Sequence, residues 1–149
     1  MANAAEGIPE FESAMNQMIV RVDNAARSFV LKGGEVIKRE AKNTFLTGSD
    51  ASITEKWHSD AWPLPTRRTG NLMNSIYTEN VRKLSSGVWQ SQTGPHIIYG
   101  RRIELGFHGS GQWPYYTTRP FPYMKPGIEK SIPVLDVLFN SLLIAAQEA

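Results

Sequence analysis

The sequence lacks cysteine altogether, which excludes disulfide bonds and thiolate metal sites. No stretch approaches the roughly 18 consecutive apolar residues that a membrane-spanning helix needs. The first residues, MANAAEGIPEF, are acidic and have neither the basic nor the apolar segment of a signal peptide. We therefore expect no contact with a membrane and a protein that stays in the compartment where it is made.

Histidine is also scarce, and its positions argue against a metal centre. The chain has three histidines, His58, His96 and His108, and none stands at the spacing of a zinc-binding motif. Nor does the sequence bring a nucleophile, a base and an orienting group into one segment. We expect no metal, no cofactor and no catalytic residue.

Acidic residues are few in the middle of the chain. Residues 61–130 hold nine Lys and Arg against three Asp and Glu, whereas residues 1–60 hold seven against nine and residues 131–149 hold none against two. Such a basic stretch fits DNA phosphates or an acidic protein surface, but a solvated face explains it as well, and we favour the solvated face. The candidate contacts to DNA or to an acidic partner are Arg67, Arg101, Arg102 and Lys125.

The length of 149 residues fits a single domain, 1–149, that buries a core without covalent cross-links. Apolar residues recur at intervals of three and four over residues 10–45, which predicts a long helix. Two adjacent glycines, Gly33 and Gly34, cost about 2 kcal/mol relative to alanine in a helix interior. We expect a kink there, and the alternative is that a neighbouring backbone approaches closely.

A second helical pattern covers residues 127–147. Pro133 lies in its second turn, so the helix either bends there or begins there with Ser131 as its cap. Pro126 suits a first-turn position, because proline lacks the amide hydrogen that has no partner in that turn.

Between the two helices, the pattern predicts a small antiparallel β-sheet. Residues 76–83 and 88–92 read as strands on either side of a hairpin turn at 84–87, and Thr93-Gly94-Pro95 ends the second strand. Residues 97–105 fit either a short helix or a strand, and the apolar spacing favours the helix. The predicted fold class is therefore α+β, with a long N-terminal helix, a small antiparallel β-sheet and a C-terminal helix.

Three turn-rich segments lie in the central α+β core, residues 67–130. They read RRTGNLMNSI (67–76), IIYGRRIELG (97–106) and RPFPYMKPGI (119–128). None contains a plausible catalytic set or metal cluster. All three are suited to fixing backbone geometry and presenting a surface, which favours a structural assembly protein over an enzyme.

The first two segments have simple physical interpretations. In the first, Gly70 supplies a positive φ, and a single helical turn places Leu72 and Ile76 on the core side. In the second, Arg101 and Glu104 stand at the spacing of a pair on one helix face. A phosphate-binding loop is the alternative for the first segment, but one glycine without a following Lys-Ser or Lys-Thr pair does not form such a loop.

The third segment is rich in proline and apolar residues. We expect Phe121 and Met124 to enter the core, where each fully buried side chain contributes roughly 1.5–3 kcal/mol. A polyproline ligand for another protein is the alternative, and we favour entry into the core.

In their order and spacing, the three segments resemble the small neck proteins of long-tailed bacteriophages, the head–tail joining or tail-completion proteins found between the portal complex and the tail tube. In that family the pattern runs approximately Arg-Thr-Gly-x-Leu-x-x-Ser-Ile, then Tyr-Ala-x-x-Val-Glu-x-Gly-Thr, then Pro-Phe-x-x-Pro-Ala. The resemblance covers about residues 66–130, with a helix on either side. The matching residues are Arg68, Thr69, Gly70, Leu72, Ser75, Ile76, Tyr99, Glu104, Gly106, Pro120, Phe121 and Pro126.

This chain departs from the family pattern at three positions. Gly100 and Gly127 stand where the family usually has alanine, and Phe107 stands where threonine commonly follows. These departures bear on the local conformation of the loops and on contacts within a ring.

The resemblance implies a structural α+β subunit, without catalytic activity or a cofactor, that assembles into a ring around the DNA channel. Six copies are expected, and twelve would match the portal side. The implied partners are further copies of the chain, head-completion or connector proteins, tail-terminator or tail-tube proteins and the genomic DNA. The implied location is the neck or tail of the virion, after assembly in the host cytoplasm.

Two long loops are predicted, at residues 46–66 and 106–119, and both are rich in aromatic residues. Aromatic side chains are enriched at protein interfaces, so these residues are suited to contacts between subunits of a ring. The candidate intersubunit contacts are Trp57, Trp62, Trp113, Tyr115 and Tyr116.

Two other functions fit parts of the sequence. A nonspecific DNA-binding protein or a DNA-acting enzyme would use the basic middle region, although Glu79, Glu104 and Glu129 are widely separated for the carboxylate cluster of a nuclease. A carbohydrate-binding module would use the aromatic run at residues 113–116, although such modules are usually all-β. We favour the ring subunit.

Overall fold

The computed structural model describes residues 7–46, 70–106 and 120–148. Within these ranges the predicted fold class is confirmed: the protein is α+β and mostly helical, with a long N-terminal helix, a small antiparallel strand region and a C-terminal helix. The elements in chain order are α1 (Gly7–Leu46), α2 (Asn71–Asn74), β1 (Ile76–Thr78), β2 (Arg82–Ser85), β3 (Val88–Gln90), β4 (Thr93–Pro95), α3 (Gly100–Leu105) and α4 (Met124–Glu148).

Helix α1 continues without a break through Gly33 and Gly34, and both glycines are buried. A Cβ atom at residue 34 would lie 2.5 Å from Cγ2 of Thr78, and one at residue 33 would lie 3.2 Å from Cδ2 of Leu135. The close approach of side chains from neighbouring elements therefore explains the glycine pair, and the helix does not break there. The kink expected at this pair stays a prediction.

Helix α4 begins at Met124, earlier than predicted, and continues through Pro133. The suggestion that Ser131 caps the helix is wrong, because its hydroxyl donates to the carbonyl of Ile128, 2.7 Å away, inside the helix. Pro126 lies in the first turn, as predicted.

The two long helices pack against each other in antiparallel directions. The rings of Phe29 and Phe139 meet edge to face, with their centroids 5.4 Å apart. From the start of α4 to its end, successive residues contact positions on α1 that lie progressively closer to the N-terminus of α1. The successive neighbours are Gly127 with Ala41, Leu135 with Gly33, and Phe139 with Phe29.

The predicted hairpin is present, but its strands are interrupted. β2 pairs with β3 around the turn at Ser86 and Gly87, and β1 pairs with β4, so residues 93–95 form a strand instead of ending one. Between the two pairs the Glu79 amide donates to the Gln92 carbonyl (2.8 Å), and the Ser91 hydroxyl donates to the Glu79 carbonyl (2.6 Å). The result is two short antiparallel ladders in one irregular hairpin.

One cluster of buried side chains ties these elements together. It combines residues from α1, from α2 and β1, and from the segment that enters α4. Its buried members are Ala41, Phe45, Leu72, Ile76 and Tyr123, with Met73, Ile97, Ile103 and Met124 packed around them.

Candidate functional site

The three motif segments meet at one place, which we call the motif junction: residues 70–76, 97–106 and 120–128. One backbone hydrogen bond joins the second and third segments directly, and another joins the first segment to His96, the residue just before the second. The amide of Phe121 donates to the carbonyl of Ile103 (2.8 Å), and the amide of His96 donates to the carbonyl of Ser75 (3.0 Å). Segments far apart in the sequence therefore form one unit.

The carboxylate of Glu104, on α3, binds the start of α4. One oxygen accepts hydrogen bonds from the amides of Tyr123 (2.7 Å) and Met124 (2.9 Å), and the other accepts from the amide of Lys125 (2.9 Å). The first amides of a helix have no partner within it, and the helix dipole attracts negative charge at this end. Glu104 thus caps α4 from another element, and this explains why the helix begins at Met124.

Tyr123 occupies the centre of the junction. Its side chain is fully buried, its ring lies 5.0 Å from that of Phe45, and its hydroxyl donates to the carbonyl of Gly100 at 3.0 Å. Burial, with a smaller contribution from the negative charge of Glu104, raises the pKa of Tyr123 above its ordinary value. The hydroxyl therefore stays protonated and holds α3 against the start of α4.

The two glycines that replace alanine in the resembled pattern stand where a methyl group does not fit. A Cβ atom at Gly127 would lie 2.7 Å from the backbone nitrogen and Cα of Ala41. One at Gly100 would lie 2.8 Å from Cβ of Pro95 and 3.2 Å from the hydroxyl of Tyr123. In this chain, α1 and α4 cross closely at Gly127, and α3 lies directly against β4 at Gly100.

Three other motif residues in the described ranges, Gly70, Ser75 and Gly106, hold turns. Gly70 has a φ of 75° before α2, and Gly106 has a φ of 77° after α3. The Ser75 hydroxyl donates to the Leu72 carbonyl, 2.7 Å away, and so closes the single turn of α2. Pro120 and Tyr99 are exposed. The predicted site residues that lie outside the described ranges are Arg67, Arg68, Thr69, Trp57, Trp62, Trp113, Tyr115 and Tyr116.

The described candidates for contact with DNA or an acidic partner lie at the edge of the junction. Arg101 and Arg102 are exposed on α3, and Lys125 is exposed in the first turn of α4. The structure does not show the expected ion pair between Arg101 and Glu104. Both carboxylate oxygens of Glu104 instead accept hydrogen bonds from backbone amides.

A second polar cluster, which the sequence did not reveal, holds the hairpin against α1. Asp23 accepts hydrogen bonds from the ammonium of Lys83 (2.8 Å) and the indole of Trp89 (3.0 Å). These bonds lower the pKa of the Asp23 carboxyl, the Lys83 bond most. Arg27 and Lys83 also lie over the Trp89 ring, 5.8 Å and 5.2 Å from its centroid. Partners about sixty residues apart leave no local pattern by which they could be predicted.

The largest unexplained feature is apolar surface on the two long helices. Every residue from Ile8 to Val20 is exposed; we call this segment the α1 arm. One side of α4 is covered by α1, and both sides beside that contact are apolar and exposed. We call the first of these, Ile128, Ile132, Phe139 and Leu143, the outer flank; the second consists of Val134, Val137 and Ile144.

In the described ranges, no group of three or more His, Asp or Glu side chains is placed to hold a metal ion. Across the same residues, each buried side-chain nitrogen or oxygen has a hydrogen-bond partner. No described helix has the length and apolar character to span a bilayer.

Comparison of the chain with protein-family models, with curated proteins and with solved structures finds no match.

Proposed function

We propose that this chain is a structural subunit of the ring that joins the DNA-filled head of a long-tailed bacteriophage to its tail. The observation that carries the proposal is the motif junction. The segments that resemble the neck proteins in order and spacing pack together. Within them, the side chains of Glu104 and Tyr123 form hydrogen bonds with backbone groups. Side chains engaged in this way define the shape of a subunit.

The exposed apolar surface supports the same proposal. Phe11 is 65% exposed, Ile132 is 51% exposed and Phe139 is 50% exposed. Soluble monomers rarely leave contiguous apolar patches of this kind uncovered, whereas subunit interfaces are rich in aromatic residues and methionine. A ring subunit covers such surfaces when it assembles.

In this proposal the partners are further copies of the chain, with six favoured and twelve possible, together with the connector proteins on the head side and the terminator or tube proteins on the tail side. Genomic DNA passes through the channel. The subunit is assembled in the host cytoplasm and ends in the neck of the virion.

An amber codon in the gene, carried by a phage that encodes this chain, tests the proposal. We expect non-suppressing hosts to accumulate filled heads and tails that are not joined, and mass spectrometry of wild-type virions to detect the chain. Infectious, fully joined particles that lack the protein would contradict the proposal.

The proposal also excludes catalysis, and Glu104 is the residue with which to test this. We expect the purified protein to leave nucleic acid and glycan substrates unchanged. If it converts either substrate and the Glu104→Gln variant does not, the structural role is wrong.

Nonspecific DNA binding is the second candidate, favoured by the placement of Arg101 and Lys125 on α3 and α4, which Glu104 joins. Binding to duplex DNA should then weaken with salt by about 0.9 logarithmic units per logarithmic unit of salt for each phosphate contact. Changing Arg101 and Lys125 to glutamine should reduce that slope. No binding at low salt, or a slope unchanged by the double substitution, would remove this candidate.

A further inference from the structure

A regular apolar stripe runs along the α1 arm and extends to Val22, two residues beyond it. Its residues alternate at intervals of three and four, the spacing by which helices pack side by side in coiled coils. The stripe consists of Ile8, Phe11, Met15, Met18 and Val22. All five side chains are at least 40% exposed.

The same stripe continues toward α4 within the chain. Two heptads after Met15 it reaches Phe29, which packs edge-on against Phe139 of α4. From that contact, the rest of α4 brings Glu148 level with about Val20, because the helices are antiparallel and rise equally per residue. The face of α1 that binds α4 therefore extends roughly 20 Å beyond the end of α4.

Helix α4 likewise has more apolar surface than α1 of the same chain covers. Inward-facing residues such as Ser131 and Leu135 meet α1, yet the outer flank beside them is also apolar. A helix that is apolar around most of its circumference is normally covered around most of it. From Ile128 to Leu143 the outer flank is about 22 Å long, and the arm stripe from Ile8 to Val22 is about 21 Å long.

We propose that the α1 arm of one copy docks along the outer flank of α4 in a second copy. The occupant is a second copy because both surfaces belong to this chain, are exposed among the residues that the structure describes, match in length and extend an interface that α1 and α4 already make within it. The second exposed flank of α4 is shorter, from Val134 to Ile144, and matches the arm less well.

The contact is heterologous, because the arm and the flank are different surfaces, and heterologous contacts close into rings or continue into filaments. The closure into a ring rests on the proposed function. The docking itself rests on the two apolar surfaces.

Charge substitutions on each surface test the docking by sedimentation equilibrium. The wild-type chain should self-associate. Phe11→Asp on the arm and Ile132→Asp on the outer flank should each weaken association by at least about tenfold, because the interface would bury an unpaired carboxylate. Both substituted side chains are exposed in the single chain, so at concentrations where the wild type is monomeric the circular dichroism and thermal melting of the variants should match it.

Two matched controls place the same charge outside the proposed contact. Ser13→Asp puts it on the arm away from the stripe, and Val137→Asp puts it on the second flank of α4. Both should associate as the wild type does. If Val137→Asp is as disruptive as Ile132→Asp, the assignment of the outer flank is wrong.

Mixing the two defective variants identifies the pairing. Phe11→Asp retains an intact flank and Ile132→Asp retains an intact arm, so together they should form a one-to-one heterodimer that neither forms alone. If Ile132→Asp self-associates normally and the mixture gives no heterodimer, the arms pair with each other and the proposal is overturned. A wild-type chain that stays monomeric at its highest soluble concentration also overturns it, while detection of the chain in virions would leave the proposed function standing.

Discussion

Glu104 shows how one side chain can decide where an element begins. Its carboxylate accepts hydrogen bonds from three consecutive amides at the start of α4, at 2.7–2.9 Å, although nineteen residues separate it from the first of them. A charged acceptor at a helix N-terminus combines the hydrogen bonds with the favourable dipole interaction. The third motif segment is therefore held by the second.

We expect Glu104→Ala to lower the free energy of unfolding by about 2–3 kcal/mol, because it leaves the first amides of α4 without their acceptor. Glu104→Gln keeps one acceptor oxygen without the charge and should cost about half as much. Urea denaturation measures both. Glu129→Gln, at an exposed position of the same helix, is the control and should stay within about 0.5 kcal/mol of the wild type. Equal stability of Glu104→Ala and the control would contradict the capping role.

The raised pKa of Tyr123 makes the free energy of unfolding depend on pH in the alkaline range. Its pKa is raised in the folded chain from an ordinary value of 10.0, so the unfolded chain releases the proton first as the pH rises. The stabilising effect is complete below the unfolded pKa and is lost progressively above it.

We therefore expect the unfolding free energy of the wild type to fall more steeply above about pH 10 than that of Tyr123→Phe. At neutral pH the substitution should cost about 1 kcal/mol, because it removes the hydrogen bond to the Gly100 carbonyl. Urea denaturation at several pH values measures both effects, and lysine titration cancels in the comparison. Parallel pH profiles for the two proteins would show that Tyr123 does not ionise differently in the folded state.

At the level of secondary-structure elements, the two adjacent glycines of α1 make close contacts with different neighbours. Gly34 lies against Thr78 of β1, a β-branched residue whose methyl group has little freedom to move. Gly33 lies against the end of the Leu135 side chain of α4, which is able to shift by a few tenths of an ångström. The two glycines therefore differ in what a methyl group would encounter.

We expect Gly34→Ala to destabilise the protein by roughly 1–3 kcal/mol, since overpacking exceeds the gain of about 1 kcal/mol in helix propensity. Gly33→Ala should be neutral or stabilise by up to about 1 kcal/mol. Adding Thr78→Ser to Gly34→Ala removes the obstructing methyl group and should recover part of the loss. Thermal and urea unfolding measure the series. If both single substitutions change the stability by the same amount, the contact with Thr78 does not account for the effect of Gly34→Ala.

The hairpin illustrates the same balance between local pattern and contact. The sequence predicted two uninterrupted strands, but the structure has two ladders, and between them the Ser91 hydroxyl donates to the carbonyl of Glu79. The outer half of the hairpin is then held by Asp23 of α1 through Lys83 and Trp89. The hairpin therefore depends on α1 for its position.

At the scale of the whole molecule, the described chain is a compact junction with a helical arm that projects from it. Residues 8–20 make up the exposed arm, whereas residues 33–45 of the same helix pack against the sheet and α4. Helical segments with few buried contacts open at low free energy. The two halves of α1 should therefore differ in stability although they form one continuous helix.

Hydrogen exchange followed by mass spectrometry should detect this difference. In dilute solution, the amides of residues 8–20 should exchange faster than those of residues 33–45. At concentrations where the chain self-associates, the arm should become protected while residues 33–45 change little, because of these two segments of α1 the arm is the one that gains a partner. Slow exchange of the arm in a dilute monomer would contradict its exposure.

The amino-acid sequence alone was enough to predict the α+β class, the two long helices, the short helix at α3 and the turn at Gly70. It did so because apolar periodicity and backbone conformation depend on residues close together in the chain. It also placed Leu72, Ile76 and Phe121 in the core, where they are buried.

Three features became clear from the packing of distant elements. The first two are the groups that Glu104 binds and the reason why Gly33, Gly34, Gly100 and Gly127 lack a side chain. The third is the contact of Asp23 with Lys83 and Trp89. Each of these contacts joins elements that are distant in sequence. Their partners are fixed by how the helices and strands pack, and no pattern within a single segment encodes that packing.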